Sequence, residues 1–408
     1  MAATPMPAPV VKQHPLRNPN FRLLWAGNTI SWIGDQFYLV ALPWLILQLT
    51  GSSIVLGSIT MMAAIPRAAL MLLGGAVTDR ISPRRIMILT ASSRTVLVAA
   101  VSGLIWLHVL QLWQLYILAL CFGIADAFAA PAAQAYLPSL VAPEQLAAAN
   151  SVSQSTVQVA TLVAPGPAGL FIKVFGTAWA FFIDAVSFLF IIGALWRLPD
   201  PPSAAAGAPR RNVLRSILDG LHYVKSDVAL ASLMLVVSVL NFAIAGPASV
   251  GIAMIAKQKF GTPLAFGLLM SALAAGGLTG TLLAGVSKHR KRGRLLLLVS
   301  TAIGLCLGSI GLLNLAPLLG GVLFLMSGTA AFLNVQLIAW FQQRVERAML
   351  GRVMSVLMFA SIGLMPFSLA AAGVAVKWSV PGTFIVAGGM VLLVTLLAAA
   401  HGPVREID

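Results

Sequence analysis

The chain has 408 residues, 59% of them hydrophobic and 9% charged, and a net charge of +15. Soluble domains carry about 25% charged residues, so this composition excludes an ordinary soluble enzyme or binding module. The basic excess does not indicate nucleic acid, because Lys and Arg fall in short clusters between apolar runs instead of covering one face.

Residues 1–20 are Pro-rich and polar with no apolar core before Phe21, so no cleavable signal peptide is expected. From Phe21 to Ala400, apolar runs of about 20 residues recur, the length that crosses a bilayer as a helix. They lie at 22–49, 53–78, 86–108, 112–137, 145–173, 177–197, 228–256, 263–287, 294–314, 316–343, 352–376 and 380–401. The expected fold is all-α and membrane-integral: twelve transmembrane helices in two pseudo-symmetric six-helix bundles around a central cavity. The bundles take residues 21–198 and 228–401, flanked by a cytoplasmic arm (1–20) and tail (402–408). Between them runs a linker, 199–227, in which Val213, Ile217, Leu221 and Val224 fall on one helical face, as in a helix lying on the inner leaflet.

With the N-terminus placed inside, twenty of the 26 Lys and Arg residues fall on the inner side and four outside, namely Lys173, Lys257, Lys259 and Lys377. This asymmetry puts both termini in the cytoplasm of a cell with an inner (plasma) membrane. An ungapped offset of 210 supports an internal repeat: Gly51 meets Gly261, Gly57 meets Gly267, Gly75 meets Gly285, Arg80 meets Arg290 and Arg84 meets Arg294. Parallel six-helix repeats mark transporters whose halves rock around a central site.

After span 2 the chain reads Gly74-Gly75-Ala76-Val77-Thr78-Asp79-Arg80-Ile81-Ser82-Pro83-Arg84-Arg85. This resembles the loop 2–3 signature of the major facilitator superfamily, G-x-x-x-D-R-x-G-R-[RK], with Pro83 in place of the second Gly. The resemblance implies a cytoplasmic gating latch built from Gly75, Asp79, Arg80, Arg84 and Arg85. The plain alternative is a positive-inside loop. In span 5, Pro165, Gly166, Pro167 and Gly169 resemble the G-P-x-x-G signature of the family's exporters, which kinks that helix; an ordinary membrane-helix kink is the alternative. Further segments, among them Asn18-Pro19-Asn20-Phe21-Arg22, Ser31-Trp32-Ile33-Gly34-Asp35, Ala130-Pro131-Ala132 and Gly351-Arg352-Val353-Met354-Ser355, resemble the branch of enterobactin exporters and macrolide-efflux proteins.

Charged groups in hydrocarbon are costly and mark function or pairing. At 1.5 Å rise per residue, Asp35, Arg67, Asp126 and Asp184 lie ~18–20 Å deep and Arg94 ~14 Å. All belong to the first half. The second half offers Asn241, Asn334, Gln336 and Trp340 as a neutral cavity surface, with Phe242, Phe332 and Met365 as further apolar candidates. In the superfamily, helices 1, 4, 7 and 10 line the cavity, which implies that Asp35 and Asp126 carry coupling protons with Arg67 and Arg94 as counter-charges. Static Asp35–Arg67 and Asp126–Arg94 pairs are the structural alternative. Asp184, near Ser187 on a peripheral helix, reads as structural.

The expected activity is proton-antiport export of amphiphilic small molecules, of drug, macrolide or siderophore type, by alternating access. Uptake or facilitated diffusion of a metabolite is the alternative transport reading, and a non-transporting receptor the reading from another class. Expected partners are the substrate, protons and the bilayer, for a monomer. No enzyme activity, cofactor or nucleic acid is expected. Cys121 and Cys306 lie inside apolar runs, and the five histidines are scattered with no metal-ligand spacing.

Overall fold

The computed structural model of the chain describes residues 14–78, 81–200, 221–225, 227–287 and 292–400, which are helical and contain no strand. The first half comprises α1 (Pro19–Thr50), α2 (Ser53–Thr78), α3 (Pro83–Trp106), α4 (Leu112–Tyr136), α5 (Leu146–Val163), α6 (Pro165–Phe175) and α7 (Thr177–Arg197). The second comprises α8 (Val228–Gly246), α9 (Pro263–Val286), α10 (Arg292–Ile310), α11 (Ala316–Arg344), α12 (Arg347–Ile362), α13 (Met365–Trp378) and α14 (Val380–Ala400).

Local chemistry sets the boundaries. The Asn18 side chain accepts from the backbone N–H groups of Asn20 and Phe21, and Pro19 fills the first helical position of α1. Gly51, at φ +64°, ends that helix in the left-handed conformation. Pro165 and Pro167 cannot donate to the preceding turn, so the span expected at 145–173 breaks into α5 and α6 with a bend of 43°. After α8 the chain stays helical to Phe260, widening to π geometry at Pro247–Gly251 and Ala256–Phe260. Lys257 and Lys259, expected in a loop, therefore lie on the last turn of a helix.

Nine helices among the described residues are long and apolar enough to cross a membrane, or ten if α5 and α6 form one span. The other two expected positions hold the shorter apolar stretch Leu295–Ile310 and the pair α12 and α13, interrupted before Pro366. The expected linker helix lies outside the described residues except at 221–225, which are helical with Val224 buried and Leu221 exposed.

The two halves repeat one packing scheme. α2 lies on α4, and α3 on both α4 and α7, while α1 lies on α7; likewise α9 lies on α11, α10 on both α11 and α14, and α8 on α14. The halves meet along two seams, α2 against α13 and α6 against α9. Both seams are glycine contacts. A Cβ on Gly57 would stand 2.7 Å from the Leu369 carbonyl oxygen and 2.8 Å from the Gly373 Cα; one on Gly267 would strike the Pro165 carbonyl and lie 3.2 Å from the Gly169 Cα. Gly57 and Gly267 are the same position of the repeat, so one close approach is used twice. Beside the seams, the Ser53 hydroxyl donates to the Gly373 carbonyl at 2.8 Å, and the Lys257 ammonium donates to the Leu47 carbonyl at the end of α1. These contacts lie at the end of the bundle opposite the chain termini, termed here the distal end.

Gly57→Leu should open the α2–α13 seam, because backbone atoms on the facing helix cannot move aside for a side chain. Overpacking of this kind costs about 1–3 kcal/mol. Thermal unfolding of the purified protein should show the loss, and a label pair at the distal ends of α2 and α13 should report a longer distance.

Candidate functional site

Three cavities occupy the bundle interior, and the first two adjoin. A charged chamber of about 280 Å³ lies wholly within the first half, lined by Asn28, Ser31, Trp32, Asp35, Arg67, Thr90, Arg94, Asp126 and Phe188 among others. A second chamber, about 380 Å³, is closed by both halves. Its walls are apolar and soft: Tyr38 and Phe122 from one half, with Phe266, Met270, Leu273, Met365 and Leu369 from the other. Arg67 and Asp126 line both chambers, so they stand in the wall between them. A third chamber of about 400 Å³ belongs to the second half and carries Asn241, Ser327, Asn334 and Ser361. Ser31 and Asp35 in the charged chamber and Asn241 and Ala245 in the third occupy equivalent positions of the repeat, offset by 210. The same architectural pocket thus holds charge in one half and neutral amides and hydroxyls in the other.

Arg94 organises the charged chamber. Its guanidinium forms an ion pair with Asp126 and lies over two aromatic rings, 5.3 Å from the centroid of Phe122 and 5.7 Å from that of Phe188. Cation–π contact of this kind offsets part of the desolvation that a buried cation suffers. The pair is only partly sheltered: the Arg94 side chain is 14% exposed and that of Asp126 31%. Tyr38 stacks on Phe122 at 4.5 Å and fixes the ring beneath the guanidinium.

Of the two ionic pairings weighed from sequence, the structure thus contains Asp126–Arg94. Asp35 and Arg67 form no ion pair among the described residues; Asp35 instead feels the charge of Arg94. Asn241 and Asn334 come together in the third chamber, with the Asn241 amide donating back to the Val237 carbonyl at 2.9 Å. Gln336 and Trp340 do not line these chambers. The Gln336 amide reaches across to the Ala284 carbonyl at 3.4 Å, and Trp340 is buried edge-on against Phe341, 5.4 Å between centroids. Both are engaged in helix packing. Of the apolar candidates, Met365 lines the central chamber.

Of the expected latch, Asp79 and Arg80 lie outside the described residues, and Gly75 is in the last turn of α2. Arg84 and Arg85 converge on a residue the sequence reading did not single out, Asp200. Arg85 Nε lies 3.2 Å from its carboxylate and Arg84 Nη1 3.9 Å, and the Ser82 hydroxyl also donates to it. Arg84 further donates to the carbonyls of Leu195 and Trp196, at 2.6 and 3.1 Å. The start of α3 is thereby tied to the end of α7. The hydrogen bond from Ser82, with the two arginines, holds the Asp200 carboxyl below the usual carboxylate range. In the other half Arg344 pairs with Asp227 at 3.1 Å, tying α11 to the start of α8. In the span 5 signature, the Gly166 amide donates to the Ser271 hydroxyl at 3.2 Å, and Gly169 lies in the α6–α9 seam.

A family model described as transmembrane secretion effector matches residues 11–408 of the chain. The macrolide efflux protein A of Streptococcus pyogenes is 25% identical over 402 residues, covering 95% of this chain and 97% of its own length. The enterobactin exporter EntS of Shigella boydii is 28% identical over 346 residues, covering 82% and 80%. Among solved structures, a variant of the nucleoside transporter NupG superimposes with a TM-score of 0.78 at 13% identity, covering 93% of this chain and 99% of that one, a likeness of fold alone.

Asp126→Ala should cost about 2 kcal/mol, since it removes the charged partner that Arg94 holds in this structure. The double variant Asp126→Leu with Arg94→Met should regain most of that, and denaturation of the two purified variants compares them. At the α3–α7 tie the sign is set by a depressed carboxyl: its contribution is complete above the unfolded-state value of about 4 and fades as pH falls through the lower folded value. Label distances between α3 and residue 200 should stay constant from neutral pH down to about 5 and lengthen only below about 4. Asp200→Asn should give the longer distance at every pH.

Proposed function

Because the chain belongs to the major facilitator superfamily, in its transmembrane secretion effector family, we propose that this membrane transporter exports amphiphilic small molecules in exchange for protons. The observation that carries this reading is the shared wall. Arg67 and Asp126 border a charged chamber on one side and an apolar chamber on the other, so a change of charge there is felt where a greasy substrate would sit. Macrolide and enterobactin export by the relatives fits a cavity lined by methionine and aromatic side chains.

The coupling follows from electrostatics. An ionised Asp126 holds Arg94; a proton on Asp126 removes the attraction and frees the cation. Asp35, exposed to the same chamber and acted on by the same arginine, is the second proton carrier. Substrate enters the apolar chamber while the distal seams are shut, as in this structure, and protonation from the distal side resets the charges when access alternates. The orientation that suits this cycle places both termini in the cytoplasm and the distal end outside an inner membrane, with the monomer as the working unit.

The test is transport of radiolabelled erythromycin into inside-out membrane vesicles carrying only this transporter. An imposed inward-acid gradient should drive accumulation, and collapse of the gradient should release the label. Asp35→Asn should lower gradient-driven accumulation to the level of empty vesicles while exchange between labelled and unlabelled drug persists. Accumulation that ignores the pH gradient would refute proton antiport.

A further inference from the structure

Deep in α7 lies a carboxyl that the scheme above does not use. Asp184 is 0% exposed, and neither of its carboxyl oxygens has a hydrogen-bond partner. The hydroxyl of Ser187 stands beside it but donates to the Asp184 backbone carbonyl at 2.7 Å. Gly34 of α1 makes room for the group, since a Cβ there would lie 3.0 Å from Asp184 Oδ1. Arg94 carries the complementary vacancy: its Nε is buried and also without a partner.

The surroundings of Arg94 are arranged in mirror fashion. Phe122 and Asp126 lie one turn apart on α4, and Asp184 and Phe188 lie one turn apart on α7. Both helices run from the distal end toward the termini. Asp126 therefore lies about 6 Å to the terminal side of its ring, and Asp184 about 6 Å to the distal side of its own. The guanidinium, held over both rings, has one carboxyl above it and one below. The ionisable groups facing Asp184 are Asp35 and Tyr38 from α1 and Arg94 from α3. α6, which also packs on α7, contributes only Lys173, which is exposed.

We propose that Arg94 is a two-position switch between Asp126 and Asp184, and that the carboxyl it leaves takes up a proton. This deepens the proton-antiport reading, on which it rests for its role in transport. In the state seen here Arg94 is on Asp126 and Asp184 holds the proton as the neutral acid, with the Ser187 hydroxyl beside it. The step balances as one proton gained and one lost. Asp126 takes a proton and releases Arg94; the guanidinium swings to Asp184, whose proton departs by way of Asp35, leaving a new ion pair. Burial of an unpaired charge is avoided in both positions.

Infrared spectroscopy of the purified full chain tests this without any substrate. Wild-type protein at neutral pH should show a carboxylic-acid carbonyl band that Asp184→Asn removes and Ser187→Ala moves in frequency. Asp126→Asn should also abolish the band, because the freed Arg94 settles on Asp184 and ionises it. A band that survives Asp184→Asn, or one that persists in Asp126→Asn, overturns the switch. Should Asp126→Asn fail to fold, Arg94→Gln serves: the acid band must then persist as pH is raised, and its loss with the wild-type midpoint counts against the proposal. In the vesicle assay, Asp184→Asn should abolish gradient-driven erythromycin accumulation while preserving exchange. A band that behaves as stated in a protein whose transport ignores pH would leave the switch standing and sink antiport; pH-driven transport with no such band does the reverse.

Discussion

A cation inside a bilayer has no water to turn to, and Arg94 is where that constraint acts hardest on this chain. It shapes what surrounds it: two aromatic rings under the guanidinium, a carboxylate partner on α4 and a second carboxyl on α7. Such a cluster confines charge to one half of the molecule. The equivalent pocket of the second half, free of that demand, is lined with amides and hydroxyls. The two equivalent pockets thus differ in charge, and the cost of desolvating that charge falls on the first half.

Much of this was legible in the residues. Apolar runs marked the helices, the offset of 210 marked the paired halves, and depth counting from the span ends set Asp35, Arg67 and Asp126 deep in the membrane with Arg94 somewhat shallower. The proline-driven break at Pro165 was legible for the same reason, since a missing N–H acts locally. What depended on the direction of a side chain was not. Gln336 and Trp340 lie on a span of suitable depth but turn into helix contacts, because a helix presents every side and apolar periodicity is weak when all of those sides meet lipid or protein. The aromatic partners of Arg94 were readable in principle, each lying four residues from an acid that stood out on its own.

Asp200 escaped for a different reason. It sits at the mouth of a Pro-rich linker, where nothing periodic constrains it, and its importance arises only when the ends of α3 and α7 are brought together. The Asp79 of the family-like motif drew attention to the loop before α3, whereas the observed acid that engages Arg84 and Arg85 is contributed from 115 residues further along, from Arg85 to Asp200. Long-range partners of this kind are set by topology, which pattern alone does not rank.

Leu47 and Lys257, joined at the distal end, are separated by 210 residues, the offset of the repeat itself. The bond runs from a side chain to a main-chain carbonyl, a group the backbone offers whatever residue stands at position 47. The lysine is carried by one copy of the repeat alone, since Leu47 stands at the equivalent place in the other. Closure at the distal end is therefore lopsided: the second half supplies the side chain and the first half only its backbone.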